Sequence, residues 1–196
     1  MRSAMRWLAG FASAEGASGD WEPAILRVRA LVLDVDGVLT DSGLGMDGES
    51  EFKLFSARDG QGIKYFMRAG HAVAILTGRE SGAVLARARD LGILHVAQGA
   101  KIKMPALKSL AAEMGVGLDE ICYIGDDMPD LPCIRAAGMG VAVADAAEPL
   151  LREADCVCRR KGGQGAVRET VEWILKSQGR WQALMERYYE DDDALE

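Results

Sequence analysis

Short apolar runs that alternate with helix-like segments constrain the fold of this chain more than any other feature. The runs are four to six residues long and rich in β-branched side chains, as buried strands are. They are Ala30–Val35, Ala72–Leu76, Leu94–Ala97, Ile121–Ile124 and Val141–Ala144, with Asp155–Cys158 a weaker sixth. Helices are predicted near 60–69, 80–91, 103–114, 129–137 and 165–177. Because strands that alternate with helices pair in parallel through crossovers, the sequence predicts a doubly wound, Rossmann-like α/β sheet.

One segment interrupts this alternation directly after the first strand. Residues 41–57 contain two turn pairs, Ser42-Gly43 and Asp47-Gly48, beside short mixed runs. Turn pairs between such runs are typical of a β-hairpin. The sequence therefore predicts a small hairpin inserted between the first strand and the first helix of the sheet, too small to cover a site by itself.

The remaining chain is organised around one domain. With 196 residues, the length suits a single domain, which we place at residues 23–179. Residues 1–22 are rich in Ala, Gly and Ser without a sustained period, and we expect a flexible extension there. A secretory signal would need an apolar core of about 7–15 residues, and the run from Trp7 to Ala12 is shorter and contains Gly10. Residues 180–196 are predicted to form a C-terminal helix and an acidic tail.

Charge and cysteine content limit the classes of partner and compartment. The chain has 23 Lys and Arg against 30 Asp and Glu, a net charge of −7, which argues against nucleic acid as a partner. No stretch approaches the roughly 18 apolar residues of a membrane span. The four cysteines have neither metal-site nor disulfide spacing. We therefore expect reduced, buried thiols and a cytoplasmic protein.

Polar and charged side chains follow four of the predicted strands. Asp34 and Asp36 close the first strand, Thr77-Gly78-Arg79 follow the second, Lys103 lies beyond the third, and Gly125-Asp126-Asp127 follow the fourth. Ligands bind beyond the carboxyl ends of the strands in an open parallel sheet. The sequence thus predicts that carboxylates, a hydroxyl and a cation meet at one edge.

This combination of groups indicates metal-assisted phosphate chemistry. Carboxylates without His or Cys suit a hard cation, and Mg²⁺ is the usual cation beside phosphate. A threonine and a lysine can hold phosphate oxygens, while one aspartate attacks phosphorus and another transfers protons. Two simpler interpretations stay open from the residues alone: Asp34 to Gly37 as a plain turn, and Asp126-Asp127 as a helix cap.

The same residues resemble the four signature motifs of the haloacid-dehalogenase-type phosphatases. The motifs are Asp34-Val35-Asp36-Gly37-Val38-Leu39-Thr40, Thr77-Gly78-Arg79, Lys103, and Gly125-Asp126-Asp127 with Asp130. Within that family the chain is similar to the 3-deoxy-D-manno-octulosonate 8-phosphate phosphatases over residues 30–178. This closer likeness is carried by Ala57-Arg58-Asp59-Gly60 with Gly62-Ile63, by Thr77-Gly78-Arg79, by Gln98-Gly99 ahead of Lys103, and by Gly162-Gly163-Gln164-Gly165-Ala166-Val167-Arg168-Glu169. Residues 1–22 and the acidic end after Glu186 have no counterpart in the family pattern.

The resemblance implies an activity and a set of roles. The expected reaction is Mg²⁺-dependent removal of phosphate from 3-deoxy-D-manno-octulosonate 8-phosphate, through an aspartyl-phosphate, in lipopolysaccharide sugar biosynthesis. The catalytic set is Asp34 (nucleophile), Asp36 (acid and base), Thr77 and Lys103 (phosphate). The metal ligands are Asp34, Asp36 through its carbonyl, and Asp126. The substrate set is Arg58, Asp59, Gly60, Gly78, Arg79, Arg87 and Asp127.

Two alternative functions stay open, and the resemblance also implies an oligomeric state. One alternative substrate is the 9-phosphate of a nine-carbon keto-sugar acid, although arginine at both 58 and 79 favours the octulosonate. The other alternative is a non-catalytic assembly domain. Since the hairpin at 41–57 stands in place of a cap domain, the resemblance implies a homotetramer in which hairpins pair. A neighbouring subunit would then supply the lid, with its Gly162–Gly165 loop or its tail after Gln178.

Overall fold

The apolar run that begins at Ala30 forms the central strand of a parallel sheet. The structure, a computed structural model, describes residues 21–48 and 50–189. All four residues of this strand are buried, as expected for a strand covered by helices on both faces. The strands are β1 (Ala30–Leu33), β2 (Gly45–Asp47), β3 (Ser50–Phe52), β4 (Ala72–Leu76), β5 (His95–Ala97), β6 (Ile121–Gly125), β7 (Met139–Ala142) and β8 (Cys156–Val157).

The strand order places a topological switch point beside β1. Within the described residues the sheet has the order β5-β4-β1-β6-β7-β8, and every pair in it is parallel. The chain moves outward from β1 through β4 and β5, then returns to the other side of β1 with β6. This is the predicted doubly wound α/β sheet, and ligand sites in such sheets lie beyond the strand ends at the switch point.

Helices cover the sheet, and most follow the predicted segments. They are α1 (Trp21–Arg27), α2 (Ala57–Arg68), α3 (Gly82–Leu91), α4 (Lys103–Met114), α5 (Leu131–Ala136), α6 (Glu148–Glu153), α7 (Ala166–Ser177) and α8 (Trp181–Glu186), with 3₁₀ turns at Leu118–Glu120 and Met128–Asp130. The helices α1 and α6 were not predicted. Trp21 and Glu22, assigned from the sequence to the extension, are helical, whereas residues 1–20 lie outside the described part.

The bounds of several elements differ from the prediction by a few residues. Strand β1 ends at Leu33, so Val35 belongs to the loop that follows, and β7 begins at Met139 rather than Val141. Helix α2 begins at Ala57, three residues before its predicted start, because the Ser56 hydroxyl caps it by accepting a hydrogen bond from the Asp59 amide.

The predicted hairpin is present and short. Strands β2 and β3 pair antiparallel, with Asp47 opposite Ser50 at the turn. Glu49 lies outside the described residues. Four large apolar side chains of this segment are at least half exposed: Leu44, Met46, Phe52 and Leu54. The hairpin therefore leaves apolar surface uncovered in the single chain.

A glycine-rich loop before α7 supports the loop after β1. The Gly163 amide donates to the Val38 carbonyl at 2.8 Å, and the buried Gly162 lies against Gly37, where any side chain would collide with the Gly37 carbonyl oxygen. The resemblance implies that this loop serves as a lid for a neighbouring subunit. In the single chain, its backbone packs against the β1 loop of the same chain.

The C-terminal helix α8 packs on α2. The Trp181 ring contacts the Tyr65 ring edge to face, at 5.7 Å between centroids, and Tyr188 accepts a hydrogen bond from Arg68. Residues 190–196, the predicted acidic tail, lie outside the described residues. In the part of the chain that is described, no helix has both the length and the apolar character that crossing a membrane requires.

Candidate active site

Two aspartates flank the switch point of the sheet. Asp34 follows β1 directly, and its amide donates to the Ile124 carbonyl of β6 at 3.1 Å. Asp126 follows β6, on the neighbouring strand. The close approach of the two loops requires Gly37, which has φ +100° and at which a side chain would collide with the Asp126 carboxylate. The parallel pairing of β1 and β6 thus brings the two carboxylates together.

Lys103 connects Asp34 to a third aspartate. Its ammonium donates at 2.6 Å to Asp34 Oδ1 and at 2.6 Å to Asp130 Oδ1, and its side chain is only 5% exposed. Burial alone would lower the pKa of Lys103, but the charges of Asp34 and Asp130 raise it above its usual value. Lys103 is therefore held as a cation at the first turn of α4, facing the β1 loop.

Asp130 organises the loop after β6. Besides Lys103, it accepts a hydrogen bond from the buried Tyr123 hydroxyl at 2.5 Å and from the amides of Asp126 and Asp127 at 3.2 and 3.3 Å. These four donors occupy both of its oxygens. Its role in this structure is to fix Lys103 and the Asp126 loop.

The carboxylates are crowded enough to favour a bound cation. Burial, with the charge of Asp130 added, raises the pKa of Asp34 to about 6. Burial, with the charges of Asp34 and Asp130, raises the pKa of Asp126 to about 8. A divalent cation between the carboxylates would offset both effects and favour their ionised forms.

The donor set fits Mg²⁺. Within the described residues, carboxylate oxygens of Asp34, Asp126 and Asp130 lie within 4.8 Å of one another. Because Asp130 already accepts four hydrogen bonds, Asp34 and Asp126 are the members with oxygen atoms to spare. Asp36 is outside this carboxylate cluster, so any contribution from it would come from its backbone carbonyl. An all-oxygen set of this kind is what a hard cation prefers.

The side chain of Asp36 is held from the hairpin. Lys53 donates to Asp36 Oδ1 at 2.5 Å and lies 3.1 Å from Glu51 Oε1. Arg79 donates to Glu51 Oε2 at 2.5 Å, and its Nε lies 3.8 Å from Asp36 Oδ2. Hydrogen bonds from Arg79 and Lys53 lower the pKa of Glu51 to about 2. Sequence reasoning missed Glu51 and Lys53.

The aspartates, Lys103 and Arg79 line one cavity of about 460 Å³. Thr77 is buried there, and its hydroxyl accepts the Arg79 amide at 3.4 Å. Asp127 lies at the rim and accepts the Met128 amide at 2.8 Å, so it also caps the 3₁₀ turn that follows. Of the predicted site residues, the structure brings together here Asp34, Asp36, Thr77, Gly78, Arg79, Lys103, Asp126 and Asp127.

Four predicted substrate residues lie outside this cavity. Both oxygens of the buried Asp59 accept backbone hydrogen bonds, from the amides of Gly165 at 3.0 Å and Arg168 at 2.8 Å. Asp59 thus holds the start of α7 instead of facing the cavity. Arg87 donates to the Ser56 carbonyl and to Asp90, and the absence of a side chain at Gly60 leaves room for its guanidinium.

Arg58 lines a different cavity. This second cavity, of about 500 Å³, is bordered by Arg58, Arg159, Arg160 and Arg168, with Gln164, Gly165, Glu169 and Glu172. The Arg168 guanidinium lies over the Tyr65 ring at 4.6 Å. Within the single chain, Arg58 and Asp34 therefore line different cavities.

The sequence is similar to that of a hydrolase family and to that of a named phosphatase. Residues 91–169 match the family of haloacid dehalogenase-like hydrolases. The 3-deoxy-D-manno-octulosonate 8-phosphate phosphatase KdsC of Escherichia coli K12 is 43% identical over 156 residues, 79% of this chain and 82% of that protein.

Two solved structures of phosphatases are also similar to this chain. A 3-deoxy-D-manno-octulosonate 8-phosphate phosphatase from Moraxella catarrhalis, in complex with magnesium ion, phosphate ion and a KDO molecule, superposes with a TM-score of 0.83 at 37% identity and covers 87% of this chain and 98% of its own. The cobalt-bound phosphatase YrbI from Haemophilus influenzae has a TM-score of 0.78 at 41% identity, and the match covers 80% and 92% of the two chains.

Proposed function

Because the chain belongs to the haloacid dehalogenase-like hydrolases, and within them to the 3-deoxy-D-manno-octulosonate 8-phosphate phosphatases, we propose that it hydrolyses the phosphate ester of that sugar acid. The observation that carries the proposal is the pairing of the buried Asp34 and Lys103 at the switch point, with the half-buried Asp126 and Asp36 and the buried Thr77 lining the same cavity. The expected place in lipopolysaccharide sugar biosynthesis depends on this substrate.

Side chains of this chain perform the nucleophilic attack, the proton transfers and the binding of the phosphate. The Asp34 carboxylate attacks phosphorus, so that a bond from its oxygen to phosphorus forms as the bond from phosphorus to the sugar oxygen breaks. Asp36 donates a proton to the departing sugar oxygen and then takes one from the water that hydrolyses the aspartyl-phosphate. Thr77 and Lys103 hold the phosphoryl oxygens, with Lys103 offsetting the negative charge of the transferred group.

Mg²⁺ fits the oxygen donors at the strand ends. Asp34 and Asp126 would hold it with their carboxylates and Asp36 with its backbone carbonyl. When bound, it neutralises charge on the phosphate and lets the anionic Asp34 approach phosphorus. This assignment agrees with the magnesium and phosphate named for the Moraxella catarrhalis structure.

Metal dependence and substrate choice test the proposal together. We expect EDTA to abolish phosphate release from 3-deoxy-D-manno-octulosonate 8-phosphate and Mg²⁺ to restore it, with Zn²⁺ a poor substitute because the ligands are all oxygens. The measurement is kcat/KM for this ester and for the 9-phosphate of a nine-carbon keto-sugar acid. A preference for the nine-carbon ester would contradict the substrate assignment. A folded protein inert toward both with Mg²⁺ would favour the assembly domain.

We also propose a homotetramer assembled through the hairpin. The exposed Leu44, Met46, Phe52 and Leu54 support this, since a lone two-stranded hairpin is marginal in water and apolar side chains on it favour pairing. The subunit mass is 21.1 kDa, so a tetramer would have about four times that mass. Arg58 and Arg87, which lie outside the catalytic cavity of their own chain, would then be candidates for contacts with a neighbour's substrate.

A charged residue on the hairpin should weaken this assembly. We expect Leu54→Glu to lower the mass measured by light scattering, because Leu54 is 77% exposed in the single chain and a carboxylate there opposes burial between subunits. Leu94→Glu is the matched control, since Leu94 is 88% exposed and lies outside the hairpin. A monomeric parent protein with full activity would contradict the tetramer.

The cytoplasmic location stays a prediction. The four free cysteines are all buried, and burial raises the pKa of Cys133 and of Cys158 to about 12, which disfavours their reactive thiolate forms. We propose a cytoplasmic enzyme on this basis.

A further inference from the structure

We propose that Lys53, a residue of the hairpin, is a positioning residue that fixes the carboxyl group of Asp36 for proton transfer. The inference rests on the proposed phosphatase function. It assigns a role in the chemistry to a hairpin that otherwise serves only as a surface for assembly.

Exposed and buried side chains alternate along the hairpin, and this alternation directs Lys53 toward the site. Successive residues of extended chain point to opposite faces. Glu51 and Phe52 belong to β3, and Lys53 and Leu54 directly follow it. Phe52 and Leu54 are exposed, whereas the side chains of Glu51 and Lys53 are 16% and 1% exposed. The face that carries the two charges is therefore the one directed at the catalytic loop.

The burial of Lys53 shows that its position is specified. Taking an ammonium group out of water is costly unless carboxylates pair with it at short distance. Lys53 meets that requirement with Asp36 Oδ1 at 2.5 Å and Glu51 Oε1 at 3.1 Å. A surface lysine would be free to move, but this one is confined between two carboxylates, one of which is the proposed acid and base.

The contact distinguishes the two oxygens of Asp36. Lys53 occupies Oδ1, and Oδ2 is left on the side of Arg79, whose Nε lies 3.8 Å away at the cavity. Oδ2 is thus the oxygen that carries the proton, and Glu51 balances the charge of Lys53 while Asp36 is neutral. Oδ2 gives this proton to the departing sugar oxygen, which leaves Asp36 as a carboxylate paired with Lys53, and it later takes a proton from water. Glu51 holds Lys53 with one oxygen and Arg79 with the other, so the hairpin fixes both neighbours of Asp36.

A pair of aryl phosphates isolates the proton-transfer step. Phenyl phosphate and p-nitrophenyl phosphate have nearly the same shape, but phenoxide is much the more basic leaving group and depends more on protonation. We expect Lys53→Met to lower kcat/KM by at least about tenfold for phenyl phosphate and by less than about threefold for p-nitrophenyl phosphate. Neither substrate carries a sugar acid, so lost contacts with the sugar cannot produce the difference.

Further variants separate positioning from folding. Lys53→Gln keeps a neutral donor and should give a smaller change in the ratio of the two kcat/KM values, and Lys53→Arg, which keeps the cation, should give a ratio near the parent's. Lys108→Met removes an exposed lysine of α4 and should leave the ratio unchanged. The thermal midpoint of each variant is measured alongside.

Each outcome bears on a distinct claim. Equal losses on both aryl phosphates in Lys53→Met and Lys53→Gln would show that Lys53 only supports the fold, and this would overturn the proposal. A parent protein inactive toward 3-deoxy-D-manno-octulosonate 8-phosphate and toward both aryl phosphates in the presence of Mg²⁺ would overturn the proposed function itself, and the role of Lys53 with it.

Discussion

The Asp34→Asn variant should lose turnover of the sugar phosphate by roughly a thousandfold or more, because an amide is a poor nucleophile toward phosphorus. The fold should persist, since the substitution preserves the size of the side chain and the β1 loop keeps its backbone hydrogen bond to Ile124. Steady-state kinetics with Mg²⁺ measure the loss, and the thermal midpoint reports on the fold.

The covalent intermediate gives a second measurement for the same variant. Acid-quenched parent enzyme should carry a phosphoryl group detectable by intact-protein mass spectrometry, and Asp34→Asn should carry none. Asp119→Asn is the matched control, because Asp119 is an exposed aspartate outside the cavity. Near-normal turnover in Asp34→Asn would contradict nucleophilic catalysis by this residue.

The Lys103→Met variant should be impaired in both stability and activity. Removing the ammonium leaves Asp34 and Asp130 as buried carboxylates without their cation, which costs about 3 kcal/mol or more in the free energy of unfolding. Without this charge on the transferred phosphoryl group, kcat should fall by about a hundredfold. Denaturant titration and steady-state kinetics provide the two numbers.

Two companion variants test the interpretation of Lys103. Lys103→Arg keeps a cation between the two aspartates and should recover part of the stability. Lys108→Met, on the exposed side of the same helix, should match the parent in both measurements. An unfolding free energy and a kcat close to the parent's in Lys103→Met would remove this lysine from both roles.

The sheet, and the site residues at the carboxyl ends of its strands, were predictable because they depend on local patterns. Runs such as Ala72–Leu76 are apolar throughout, which is typical of strands that are covered on both faces. Polar groups such as Thr77 follow those runs directly, so the parallel topology alone brings them together. The fold class and the grouping of Asp34, Thr77, Lys103 and Asp126 follow from the order of elements.

The role of the hairpin was not predictable in the same way. Lys53 contacts Asp36 across 17 residues, and the contact depends on how the hairpin bends back over the loop, which no local pattern specifies. The available signal was the alternation of charged Glu51 and Lys53 with apolar Phe52 and Leu54. That alternation indicates two different faces but does not say what either one touches.

Resemblance to a family likewise identified residues without giving their contacts. The resemblance places Asp59 and Arg87 among the substrate residues, yet within one chain Asp59 accepts hydrogen bonds from the Gly165 and Arg168 amides and Arg87 donates to the Ser56 carbonyl. A side chain's partners depend on elements far along the chain, here more than a hundred residues for Asp59 and Arg168. Sequence spacing alone does not contain that information.

The contact between the glycine-rich loop and the β1 loop sets the order in which a newly synthesised chain can become active. Asp34, Thr77, Lys103 and Asp126 are all synthesised before Gly162 and Gly163. Until then the Val38 carbonyl lacks the Gly163 amide, and Gly37 lacks the backbone that packs against it. Since chains begin to fold during synthesis, the sheet can assemble around its early strands while the loop that carries Asp34 and Asp36 is still without this support. Catalytic competence is then among the last properties that the nascent protein acquires.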